Sequence, residues 1–228
     1  MHVERCICRE CRELDALPLQ GIPDTFQFRL FNRTQERQPL ITAEIFHELV
    51  RHCREAGYGD DIDWAENCQP PRSALIFARE AIFVICNSGM RFSVAQGIFE
   101  RVMASLRSGG SAQDAFGHKG KASAIDHIWA NRGVLRRQYL DADDKLVFCA
   151  SLPWIGEITK YHLAKNFGAQ VAKPDVHLQR LADHEGCTAQ QLCERIAAVT
   201  GYKVPTVDTV LWRACAIGII NSRALVAP

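Results

Sequence analysis

Two neighbouring stretches hold the residues best suited to chemistry. The first is Ser151–Lys160, with Leu152, Pro153, Trp154, Gly156, Ile158, Thr159 and Lys160; the second is Val171–Arg180, with Lys173, Asp175, His177 and Arg180. In the first, Pro153 and Gly156 interrupt two helical runs as a tight turn does. Leu146, Val147 and Ala150 have helical spacing before it, and Ile158, Tyr161, His162 and Ala164 continue that period towards a C-cap at Gly168. A turn that opens a second helix presents backbone N–H groups and the positive end of a dipole, which together make an anion site. In the second stretch Asp175 follows Pro174 at a helix start. An ionised carboxylate there stabilises developing positive charge and orients or deprotonates a water. Asp175 also suits the N-cap of a helix from Val176 to His184, and a cap would hold the carboxylate still.

In this order and pairing, the residues resemble the helix-hairpin-helix DNA glycosylase superfamily, which includes endonuclease III-like, adenine-mismatch and alkylation-repair enzymes. Its hairpin reads roughly Leu-Pro-Gly-Val-Gly, and a Val-Asp-x-His-Val-x-Arg segment after the next helix carries the catalytic aspartate. Here Leu152-Pro153-Trp154-Ile155-Gly156 matches the hairpin, and Asp175, His177 and Arg180 match the second segment. The likeness is good over Asp143 to Asp183 and looser over Thr42 to Arg137. It implies an all-α fold of two helical domains with an active cleft between them. It also implies duplex DNA as partner, with the target nucleotide flipped out and its base excised by hydrolysis of the N-glycosidic bond. Asp175 is then the catalytic carboxylate, facing the oxocarbenium-like sugar. Leu152, Pro153, Trp154, Gly156, Ile158, Thr159, Lys160 and His177 hold the DNA backbone, with Gly156 and the N–H groups beyond it central to phosphate binding.

Two positions depart from the family pattern. Bifunctional members carry a lysine two residues beyond the second hairpin glycine; its amine attacks C1′ and leads to strand cleavage. Ile158 stands there, so a monofunctional enzyme that leaves an abasic site is expected, with no cofactor required. Lys160 lies about 200° further round the helix and reads as a phosphate contact or a solvated lysine. Trp154 replaces the first hairpin glycine; it alters the turn, stacks on substrate, or packs between the hairpin helices. Glu157 is either turned away from phosphate or a second acid in the cleft.

Further candidates lie outside the hairpin. The helix break at Asn87, Ser88 and Met90 falls where the family inserts residues into the gap left by the flipped nucleotide; the plainer reading is a helix C-cap turn. Lys119, Lys121 and Lys173 are candidate phosphate contacts, although Lys119 and Lys121, with Arg132, Arg136 and Arg137, also suit a solvated helix face. Cys6, Cys8 and Cys11 could hold a structural zinc with a fourth ligand such as His2, or be simple thiols. Only Cys187 and Cys193 follow the Asp175 segment, so the iron–sulfur cluster of some relatives is not expected.

The elements that must position these groups are helical. Thr42 caps a helix with an apolar stripe of Ile45, Phe46, Leu49, Val50 and Cys53, ending near Gly57. A polar loop is expected over Tyr58 to Pro70, then helices over Arg72–Asn87 and Phe92–Arg107, the latter with Val94, Ile98, Val102 and Leu106 in register. A helix with Ile125, Ile128 and Trp129 precedes a separate piece at Val134–Tyr139. Thr188 caps Ala189–Thr200, and Val207–Ile220 closes the chain. The expected domains are 42–140 and 141–228, with 1–41 packing on the latter.

Composition narrows the partners. The 228 residues are 47% hydrophobic with net charge +1, so DNA binding would rest on a local patch rather than a global field. No apolar run is long enough to cross a bilayer, and an intracellular, cytoplasmic or nucleoid-associated monomer is expected. Cys53, Cys86, Cys149 and Cys215 read as buried thiols. Two other readings stand beside the glycosylase: a DNA-structure-recognition module that keeps the hairpin without the chemistry, and a zinc-dependent nuclease built on the N-terminal cysteines.

Overall fold

The computed structural model describes residues 39–225. Within them the chain is all-α, with no strand. The helices are α1 (Ala43–Cys53), α2 (Gly59–Asn67), α3 (Ala74–Asn87), α4 (Phe92–Arg107), α5 (Lys119–Asp141), α6 (Lys145–Ser151), α7 (Thr159–Asn166), α8 (Val176–Glu185), α9 (Ala189–Thr200) and α10 (Val204–Ala216). None of them is long and apolar enough to span a membrane. The chain divides into two units: among the described residues, 39–67 with 170–225, and Cys68–Ala169.

In the first unit α10 is the central element, because every residue from Val204 to Leu211 is buried. Phe46, Leu49, Val50 and Cys53 of α1 form the expected stripe and join its core. Thr42 caps α1 by accepting the Ile45 N–H (3.4 Å). The orphan donors at the start of α10 go to side chains: Glu66 accepts the Lys203 N–H (3.1 Å) and Gln170 the Val204 N–H (3.2 Å). A buried helix start needs such partners.

The expected loop over Tyr58 to Pro70 is instead mostly α2. A π turn, Arg54–Tyr58, with Gly57 at φ +91°, redirects the chain out of α1. Asp60 and Asp61 then occupy the first turn of α2, where carboxylates favour the dipole. Ile62 and Ala65, three residues apart, bury its inner face. The final helix also starts earlier than expected, with Pro205 in its first turn, a position that proline tolerates.

In the second unit an aromatic cluster joins the hairpin helices to the rest. Phe77 of α3 stacks on Phe167 (ring centroids 4.9 Å apart), and Tyr139 and Phe148 pack beside them. The Tyr139 hydroxyl donates to the Phe167 carbonyl (3.3 Å). On α4 the buried positions are Ala95, Val102, Met103 and Leu106, whereas Val94 is 53% exposed. The two expected pieces between Lys119 and Tyr139 form the single helix α5, 23 residues long.

The boundaries therefore differ from those expected at residue 140. Residues 43–67 pack with the C-terminal helices because the α1 stripe is buried in their core. The hairpin helices pack with 68–144 because Phe148 and Phe167 close on Phe77 and Tyr139.

Candidate functional site

The hairpin turn belongs to the second unit. Asp144 Oδ1 accepts the N–H groups of Leu146 and Val147 (2.8 and 3.0 Å) and starts α6. After α6 the Ile155 N–H donates to the Leu152 carbonyl (3.2 Å), closing a four-residue turn. Its third residue, Trp154, has φ +66°, and is the one residue besides glycine with a positive φ among the described residues. A type II turn requires such an angle there, and glycine supplies it without strain.

Tryptophan thus adopts here a backbone angle that glycine takes more readily. Its ring lies over Gly120 at the start of α5, so close that a β-carbon there would sit 2.6 Å from the ring. His118 meets it edge-on at 5.0 Å. Even so, Trp154 is 45% exposed.

Beyond the turn, the Gly156 N–H donates to Thr159 Oγ1 (2.8 Å), and the Lys160 N–H returns to the Gly156 carbonyl (3.0 Å). This corrects the expectation for Gly156, whose N–H is already engaged. Residues 157–159 follow at the start of α7, with Glu157 exposed and Ile158 and Thr159 half-buried. Lys160 Nζ pairs with Glu157 Oε2 (2.5 Å), and this hydrogen bond holds the lysine above its ordinary pKa. Glu157 itself turns to solvent, at 83% exposure. Leu152 is buried and supports the turn from within, Pro153 and Ile158 are half-buried, and Ile158 opens α7 without a capping side chain.

The Asn87–Met90 break lies beside this turn. The Met90 N–H donates to the Asn87 carbonyl (3.1 Å), so the segment forms the C-cap turn of α3. Ser88 and residues 154–159 together line an open depression of about 430 Å³. Lys121 does not serve as a phosphate contact here. It is buried and donates Nζ to the Ser88 carbonyl (2.5 Å). Desolvation pulls its pKa down, while the nearby Cys86 thiol opposes that shift. Lys119 is exposed in the first turn of α5.

Asp175 belongs to the first unit and is 2% exposed. Its Oδ1 accepts the N–H groups of His177 (2.9 Å) and Leu178 (3.0 Å), which makes it the N-cap of α8. Burial pushes the Asp175 pKa up; Lys173 pulls it down, Asp208 raises it again, and the Leu178 N–H and His177 lower it. Lys173 thus acts on the carboxylate electrostatically. His177, expected on DNA, is buried, and its Nδ1 lies 2.9 Å from Ser222 Oγ in the 3-10 turn Ser222–Leu225.

Sequence reading missed Asp208 and Ser222. Asp208 Oδ2 accepts the Lys173 N–H (2.9 Å), two residues before Asp175. The signal was available: one acid inside the apolar run Val207–Leu211 must be buried for a reason.

No group of three or more His, Cys, Asp or Glu side chains among the described residues is arranged to hold a metal ion. Cys6, Cys8 and Cys11 lie outside those residues. The described cysteines form no disulfide, and Cys53, Cys86, Cys149 and Cys215 are buried. Comparisons of the chain with protein-family models, with curated proteins and with solved structures give no match.

Proposed function

We propose that this chain is a helix-hairpin-helix DNA glycosylase that excises a damaged or modified base by hydrolysis, without lyase action. The observation that carries the reading is Asp175: a buried carboxylate, fixed at a helix start by two N–H donors, at the motif position of the family aspartate. A carboxylate so held needs no reorganisation when positive charge develops beside it. In the reaction the C1′–N bond breaks and its electron pair leaves with the base, which takes up a proton. Asp175 stabilises the cationic sugar while a water oxygen bonds to C1′ and gives its proton to the carboxylate or solvent. The hairpin supports the reading because α7 starts without a side-chain cap at the edge of an open depression, and a helix start suits a backbone phosphate. Ser88, which lines that depression, and Met90 two residues further on suit the gap left by an extruded nucleotide.

Ile158 offers no amine, so no covalent enzyme–DNA adduct should form. Mass spectrometry of reactions on DNAs carrying alkylated, deaminated, mismatched and bulky modified bases should detect a released base, while borohydride traps no protein on the DNA. A trapped adduct would overturn the monofunctional assignment.

The second reading, a DNA-structure-recognition module without chemistry, draws on the same Asp175. The hydrogen bonds that Oδ1 accepts from His177 and Leu178 are those of an ordinary cap. Specific binding with no base released from any substrate would favour it.

A further inference from the structure

Residues 173–175 are held by an unbroken series of hydrogen bonds. The Lys173 N–H donates to Asp208 Oδ2 (2.9 Å), and the Asp175 N–H donates to the Lys173 carbonyl (2.8 Å). Asp175 Oδ1 then accepts from His177 and Leu178. Pro174, at the centre, has its φ fixed by its ring. The first acceptor is the 1%-exposed Asp208 on α10, a helix buried along its first eight residues. A buried carboxylate is costly unless it is hydrogen-bonded, and here its bond anchors the loop that aims Asp175.

We infer that Asp208 is the positioning residue of Asp175: it fixes the Lys173–Pro174–Asp175 turn and sets a second buried carboxylate at the Lys173 N–H, two residues before Asp175. This rests on reading Asp175 as the reacting carboxylate. The groups that act on Asp175 are Lys173 on the preceding loop, His177 on α8, and Asp208 and Cys215 on α10, while Ser222 of the closing 3-10 turn meets His177. Of these, Asp208 combines a hydrogen bond to the loop backbone with a charge of the same sign as Asp175. Its two contributions separate by mutation. Asp208→Asn keeps an acceptor for the Lys173 N–H and removes the charge, whereas Asp208→Ala removes both.

Carbon-13 NMR of the aspartate carboxyls in the full chain, titrated with pH, reads this coupling without any substrate. In Asp208→Asn the Asp175 titration should move to lower pH, because a like charge has gone. Lys173 amide exchange should stay slow in Asp208→Asn and become about tenfold faster in Asp208→Ala, as expected for loss of a bond to a charged acceptor. With a substrate base, the acid limb of base release should follow the Asp175 titration in Asp208→Asn. An unmoved Asp175 titration in Asp208→Asn overturns the inference, and that variant carries the test should Asp208→Ala fail to fold. A moved titration with no base released by any variant upholds the coupling and removes the glycosylase reading instead.

Discussion

Trp154 accepts a backbone angle that costs a residue with a β-carbon about 1–2 kcal/mol, yet its ring is held against Gly120 and His118. Gly120→Ala should push the indole off α5, and a red shift in tryptophan emission, absent when Trp154→Phe is added, would report it. Asp175 illustrates the opposite balance, a favourable cap on an unfavourably buried charge. Asp175→Asn keeps the acceptor for His177 and Leu178, so it should be more stable than Asp175→Ala by about 1 kcal/mol in chemical denaturation. The pH dependence follows from the raised pKa of Asp175. The fold favours its protonated form, so the carboxyl's contribution is complete below the unfolded pKa and is lost as pH rises through the folded one. Across that window wild type should lose stability relative to Asp175→Asn. An opposite slope in melting temperature against pH would contradict the burial argument. On the proposed glycosylase reading base release needs the ionised form, so its acid limb should lie above the ordinary aspartate range.

At the level of elements, the end of α7 makes the sharpest demand on sequence. Gly168 has φ +80°, and a β-carbon there would meet the backbone of Gln69 and Pro70 at 2.8–3.0 Å. Gly168→Ala should therefore destabilise the protein by about 2 kcal/mol or more, read from a denaturant midpoint. Sequence identified this helix end, and the caps at Thr42 and Thr188, because capping depends on residue type and local spacing. It also found the buried stripe of α1, whose apolar residues recur at helical intervals. It failed on α2, where three aspartates and a glycine outweighed the short Ile62–Ala65 signal; tertiary burial decides that segment. Val94 has the same spacing as the buried residues of α4 but faces solvent, since periodicity defines a face only to within neighbouring positions. Of the candidate site, the turn at Leu152–Ile155 and the cap at Asp175 were legible from local residue types. The partners of Lys121, His177 and Lys173 were not, because Ser88, Ser222 and Asp208 lie far away in sequence.

For the molecule as a whole, a net charge of +1 means that the proposed DNA binding would rest on a few placed donors and cations, with exposed Lys119 a candidate among them. Lys119→Ala should weaken binding to all DNA sequences alike and reduce the salt slope by about one; an unchanged slope would remove Lys119 from the interface. The central claim is that Asp175 excises a base, and it is tested most directly by comparing wild type with Asp175→Asn on DNA carrying modified bases. Half of each reaction is treated with hot alkali before the strands are sized. Breaks should appear at the modified position only after alkali and only with wild type. Breaks made equally by Asp175→Asn, or DNA bound by wild type but left intact on every substrate, would contradict that claim.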